Sequence, residues 1–401
     1  MLRLLPIALV IAAMAPDCGS SGSTTSPTGT TLTVTAAAQN FQTITVNSGP
    51  ANNYFNGAFT TVTVCTPGTS TCQTIGGILV DTGSSGLRVL SSAMSVPLPQ
   101  QADGNGLPVA ECAQFVDGFT WGPVQTADLK LGGETASSVP IQVIGSSSTS
   151  FSNIPGACAA TGVSEDTLND LGANGIVGVG LFRQDCGGGC VTVNSNNPGF
   201  YYGCPSTGCV LTAEPLTKQV SNPVWLFPTD NNGVIIQMPS VPLGGALTST
   251  GMMIFGIGTQ SDNGLGAAKV MTTDGNGYIS TVYNSKTYSS SYLDSGSNAI
   301  FFLDSFTTGL PTCTDSTDFY CPTTLQSQSA SMRGVNGTTI PVTFNVGNVD
   351  QLNGNFTAFS EVAGPNPGGF GWGLSFFFGK TIYTGIEGQS SPGGTGPYFA
   401  F

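Results

Sequence analysis

One local design occurs twice in this chain of 401 residues, and nothing else in it constrains the fold as much. Ile78-Leu79-Val80-Asp81-Thr82-Gly83-Ser84-Ser85-Gly86-Leu87 runs an apolar strand into an Asp and then into a tight turn of small, hydroxyl-bearing residues. Tyr292-Leu293-Asp294-Ser295-Gly296-Ser297-Asn298-Ala299-Ile300-Phe301-Phe302 repeats the design. Taken alone, either Asp could simply cap its own turn. A carboxylate delivered by an apolar strand is costly unless hydrogen-bonded, and the N–H groups and hydroxyls of the turn supply partners. The two Asp lie 213 positions apart, about half the chain. Two equivalent halves meeting face to face would bring them together. Like charges that close cannot both ionise, so the pair holds one proton, with one Asp as base and the other as acid. Such a pair activates water without metal, histidine or covalent intermediate.

The composition narrows the chemistry to such a site. Histidine is absent, which excludes Ser-His-Asp and Cys-His nucleophile systems and zinc sites with His ligands. Charged residues make up 8%, against about 25% in a typical soluble protein, with 22 Asp+Glu and 9 Lys+Arg. There is no basic stripe, so nucleic acid is not an expected partner. The 56 Gly and 25 Pro, with abundant Ser and Thr, favour strands and turns over helices. The length suits two domains.

The N-terminus reads as an export signal over residues 1–17: Arg3, then an apolar run from Leu4 to Ala15, too short to span a bilayer. Cys18 opens a Ser/Thr/Gly-rich tether over residues 18–45 and resembles the lipidated Cys of a bacterial lipoprotein. Pro16-Asp17 depart from the small residues of that pattern, and the alternative is ordinary cleavage near Ala13-Met14-Ala15. Of the 11 Cys, ten remain once Cys18 is set aside, an even number suited to disulfides in an exported chain. Neighbours across short loops are the expected pairs: Cys65–Cys72, Cys186–Cys190, Cys204–Cys209 and Cys313–Cys321, leaving Cys112–Cys158. No Cys-x-x-Cys pair suggests structural zinc.

Strand-like alternation and hairpin turns dominate from there, including Asn336-Gly337 ahead of Ile340-Pro341-Val342-Thr343-Phe344. Helical signals are few: a capped turn at Ser164–Leu168, and one possible helix over Glu214–Val220. The expected organisation is an N-terminal β lobe over residues 46–230, carrying a Cys-rich insertion at 183–209, and a C-terminal β lobe over residues 231–401.

These residues resemble a pepsin-type aspartic peptidase, from about Tyr54 to Phe401. Asp81-Thr82-Gly83-Ser84-Ser85 matches that family's signature without change. Asn174-Gly175-Ile176-Val177-Gly178-Val179-Gly180 resembles the segment that braces the first Asp turn. Asn222-Pro223-Val224-Trp225-Leu226-Phe227 resembles the strand after the inter-lobe helix. Ile254-Phe255-Gly256-Ile257-Gly258 resembles the strand opening the second lobe. Phe376-Phe377-Phe378 and Ile382-Tyr383-Thr384-Gly385-Ile386-Glu387 resemble the final strands. The chain is also similar to bacterial lipoproteins of unknown function that carry the same Asp-Thr-Gly-Ser-Ser segment.

The resemblance implies a mainly β, bilobal pepsin-like fold with pseudo-twofold symmetry. It implies Asp81 and Asp294 as the catalytic pair, supported by Thr82, Gly83, Ser84, Ser295, Gly296 and Ser297. No cofactor and no metal are implied. The partner would be an extended peptide or protein in the inter-lobe cleft of an exported monomer, with membrane contact only through a lipid on Cys18. Three departures stand out. Arg88 occupies a position where the family usually has Trp. The flap hairpin, expected near Phe115 to Gly122, has no Tyr, so Phe119 or Trp121 would cover the cleft. Trp372-Gly373-Leu374-Ser375 has Ser where Gly is expected. After Arg3 the next basic residue is Arg88, so a Lys-bearing pro-segment over the acids is not expected. A sparsely basic chain repels itself little once its carboxylates protonate, which suits acid conditions.

Two other readings compete with an acid-favoured aspartic endopeptidase. One is a non-catalytic binding or surface protein on the same fold, to which the altered flap points. The other is a two-carboxylate glycosidase, for which three Trp (121, 225, 372) are few and the duplicated Asp turns are not required.

Overall fold

The computed structural model describes residues 40–401. The expected signal, most of the tether and Cys18 lie outside the described residues. The tether's last part does not: Phe41–Asn47 is a strand, because Ile44 and Val46 alternate into the core, both fully buried. Among the described residues the chain is mainly β, with a 16-stranded sheet, a seven-stranded sheet and a two-stranded hairpin.

The two halves share one topology around the Asp turns. In the first, strand Cys72–Asp81 pairs parallel with Gly175–Val179, and Ser85–Leu90 returns antiparallel to that same strand. In the second, Lys286–Leu293 pairs parallel with Asn366–Trp372, and Ile300–Leu303 returns antiparallel to it. Each returning strand also meets a further parallel neighbour, Glu134–Ile144 in one half and Ala363–Gly364 in the other. Each Asp turn is thus clasped from below by one central strand. The apolar runs noted in the sequence are what allow this, since strands enclosed on both faces need side chains without polar demands.

Strands from both halves continue as one sheet. Phe41–Val46 pairs with Ser249–Ile254, and Gly233–Gln237 lies between Ser249–Phe255 and Thr381–Gly385. Asn56 adds a buried clamp. Its amide donates to the Asn298 and Phe359 carbonyls, both at 2.8 Å, and to Ser375 Oγ at 3.0 Å. Ser375, the residue standing for Gly, also donates to the Phe359 carbonyl at 3.1 Å. It is a polar tie between the halves rather than a defect in the brace.

All five expected cystine pairs are present: Cys65–Cys72, Cys112–Cys158, Cys186–Cys190, Cys204–Cys209 and Cys313–Cys321. Three local expectations need correction. Glu214–Val220 is no helix beyond one 3-10 turn, Leu216–Lys218, because Glu214 and Gln219 are buried and bonded to other segments. Val224–Leu226 is a 3-10 turn rather than a strand, begun by Pro223. Leu374–Phe377 is a helical turn, and the strand follows at Thr381–Gly385. The capped turn near Ser164–Leu168 does form, with Thr167 capping Leu168–Leu171.

Candidate active site

The paired topology brings the two Asp turns against each other. Thr82 Oγ1 accepts from the Ser295 N–H at 2.9 Å, and Ser295 Oγ accepts from the Thr82 N–H at 3.1 Å. Thr82 Oγ1 donates to the Leu293 carbonyl at 3.4 Å, and Ser295 Oγ to the Val80 carbonyl at 2.8 Å. Each hydroxyl therefore grips the opposite half's backbone, and the four bonds are related by the same twofold repeat.

This grip places the carboxyls. Asp81 accepts from the Gly83 N–H at 2.7 Å and from Ser84 Oγ. Asp294 accepts from the Gly296 N–H at 2.8 Å and from Ser297 Oγ at 2.6 Å. The two carboxyls are hydrogen-bonded to each other. The glycines are what let them meet. A Cβ on Gly83 would sit 2.6 Å from Asp294 Cγ, and one on Gly296 would sit 2.6 Å from Asp81 Oδ1. Burial, then the neighbouring Asp294 charge and their shared hydrogen bond, push the Asp81 carboxyl up to about 8, against the opposing pull of Ser84 and the Gly83 N–H. That is the direction required for one retained proton.

A cavity of about 450 Å³ lies over the pair. Its walls include Phe115, Val116, Phe182, Tyr278, Tyr292 and Asp185. Gly83 is exposed and Ser84 half-buried there, so the acids are open to a ligand.

The flap hairpin forms where expected, from Val109–Gln114 and Gly118–Leu131, with its tip at residues 115–117. Phe119 and Trp121 do not cover the cleft. They are 3% and 4% exposed and pack beneath the hairpin with Cys112, Cys158 and Tyr202. Strand parity accounts for Trp121, which opposes the buried Cys112, while Thr120 opposes Ala113 on the cavity side; Phe119 opposes Gln114 at the cavity's edge but packs into the cluster beneath the hairpin. The tip residues Phe115 and Val116 face it instead. Tyr292, two positions before Asp294, was also legible, since residues two apart share a face of a strand.

Arg88 is not a surface substitution. Its side chain is 2% exposed and ion-paired to Glu111 and Asp185.

The bilobal β fold and the opposed Asp turns define a pepsin-like aspartic-proteinase fold. Among solved structures the chain is similar to an aspartic proteinase from Irpex lacteus, with 18% identity, a TM-score of 0.51, and coverage of 90% of this chain and 96% of that one. At that identity the likeness shows the fold alone. The chain belongs to the family described as "Protein of unknown function (DUF3443)", whose model matches residues 36–401. No curated protein matches it.

Proposed function

We propose that the chain is an aspartic-type endopeptidase working best in acid. The observation that carries this is the hydrogen-bonded Asp81–Asp294 pair on the floor of an accessible cavity. One carboxylate takes a proton from a water held between the two acids. The protonated partner donates to the carbonyl oxygen of the scissile peptide as the water attacks. Ser84 and Ser297 hold the outer oxygens so that the inner ones face the water. The substrate is a peptide bound in extended form beside the hairpin. Export, with or without lipid on Cys18, belongs to this proposal. The disulfides accord with an oxidising compartment, and among the described residues no helix is long and apolar enough to cross a membrane.

The test is cleavage of a denatured protein substrate across acid pH. Asp81→Asn and Asp294→Asn should each lower the rate about 10²–10⁴-fold, the usual worth of a positioned acid or base. Pepstatin should bind the unmodified chain and not Asp81→Asn. The competing reading is a binding protein on this fold, favoured by the altered flap, which has no Tyr over residues 115–122. No cleavage and no pepstatin binding by the folded protein would decide for it.

A further inference from the structure

The buried group around Arg88 joins three separate parts of the site. Arg88 lies on the strand that leaves the first Asp turn, Glu111 on the first strand of the flap hairpin, and Asp185 at the start of the Cys-rich insertion. Arg88 Nη2 donates to Glu111 Oε1 at 2.5 Å and to Asp185 Oδ2 at 3.2 Å. Its Nε donates to the same Glu111 oxygen at 3.2 Å, and its Nη1 to the Ser85 carbonyl at 3.0 Å. Tyr201, from the strand that pairs with Val109–Glu111, donates to Asp185 Oδ1 at 2.6 Å and accepts from the Val220 N–H at 2.7 Å. Phe115 at the hairpin tip lies 5.7 Å from the guanidinium. The side chains of Arg88, Glu111 and Asp185 are 2%, 0% and 3% exposed.

The arithmetic of this group leaves a remainder. One guanidinium faces two carboxyls, and Glu111 Oε2 is buried with no hydrogen-bond partner. A buried, unmatched negative charge is costly, and an acceptor without a donor adds to the cost. A single proton between the two acids removes both at once: the charges then balance, and the free oxygen gains a hydrogen bond. Burial, then the Glu111 charge, hold the Asp185 carboxyl well above its ordinary range, against the pull of Arg88 and Tyr201.

We propose that Arg88, Glu111 and Asp185 are positioning residues that latch the hairpin over the Asp81–Asp294 pair, and that one proton shared by the two buried carboxyls completes the latch. The strand bearing Arg88 begins four residues after Asp81, so the latch sets the height of the hairpin directly against the reacting acids. Loss of the proton leaves two like charges in contact across the base of the hairpin, and the hairpin loosens. The charged and titratable groups facing one another in this cluster are those of Arg88, Glu111, Asp185 and Tyr201.

The latch is read by hydrogen–deuterium exchange of residues 109–123 in the full chain, from about pH 5 to about pH 8.5, corrected for intrinsic exchange. The loss of one charge-assisted bond should lower protection by roughly tenfold or more as pH rises. Glu111→Gln keeps an oxygen toward Arg88 and places an amide donor where the proton would be, so its hairpin should stay protected throughout. Arg88→Met should lose protection at every pH. A flat profile in the unmodified chain overturns the proposal, as does a Glu111→Gln profile that follows it. The proposal rests on the peptidase reading only for the hairpin's role as a flap. In Asp81→Asn the exchange profile should persist while cleavage is lost, so a failed latch and an inactive dyad are told apart.

Discussion

At the scale of residues, the two turns were legible because each carries its chemistry in five consecutive positions. Asp81-Thr82-Gly83-Ser84-Ser85 contains the carboxyl, the hydroxyl that reaches the other half, the glycine that leaves room, and the hydroxyl that holds the outer oxygen. The glycines yield a prediction separate from the acids. Gly83→Ala and Gly296→Ala would each drive a methyl into the opposite carboxyl, which its own turn pins in place. Each should cost about 1–3 kcal/mol, the usual penalty of overpacking, and should separate the two acids. Denaturant unfolding reads the first effect, and a fall in cleavage rate the second. An unaltered cleavage rate in both variants would mean that the acids need not touch. Arg88 was the residue least legible in advance. Sequence showed that an expected Trp was missing, but Glu111 and Asp185 are 23 and 97 positions away, and only the assembled sheet brings them to it.

At the scale of elements, the hairpin is a member of a small stapled sheet. Its first strand pairs with Tyr201–Gly203, its second with Val163–Ser164, and Cys112–Cys158 ties it to the segment that follows. The loops closed by the cystines differ widely in length. Cys112–Cys158 spans 46 positions and Cys186–Cys190 spans 4. By loop-closure entropy the first is worth about 4 kcal/mol and the second about 2 kcal/mol. Replacing both Cys by Ala should therefore lower the urea midpoint more for the first pair than for the second. Equal losses would place the stabilisation elsewhere. The cystine pairs were readable because four of them close short Gly/Pro/Ser/Thr loops, and the fifth was left over. Phe119 and Trp121 were misassigned for an equally local reason. Which face an alternating strand turns to the cleft depends on the turn's length, and one residue of difference inverts it. The strand Phe41–Asn47 was hidden because its longer pairing is with Ser249–Ile254 in the other half of the chain, and only its last residues pair nearby, with Gly57–Phe59.

At the scale of the whole molecule, buried acids set the response to pH. Asp81 is raised to about 8 and Glu214 to about 7, in both cases chiefly by burial, and Asp185 and Glu134 are raised as well. Each binds its proton more tightly folded than unfolded. Its contribution is complete below the unfolded value near 4 and is lost as pH rises through the folded one. Asp103 and Asp304 are lowered and act in the opposite sense, losing stability only in stronger acid. The melting temperature should accordingly be highest at about pH 4–5 and fall toward about pH 8, less steeply in Asp81→Asn. Thermal melts across that range check this, and a melting temperature that climbs steadily to pH 8 would contradict it. The joined sheet has a consequence of another kind. Asn40, at the head of the first strand, donates its amide to the Phe255 carbonyl 215 residues downstream, and the strand itself is flanked by Ser249–Ile254. A polypeptide leaving the ribosome gains the strand's near partner, Gly57–Phe59, at once, but leaves its other edge open until Ser249–Ile254 has been synthesised. The platform beneath the two acids, which includes Thr381–Gly385, closes only after most of the second half has been made, so the molecule is assembled late in its own translation, and slowly.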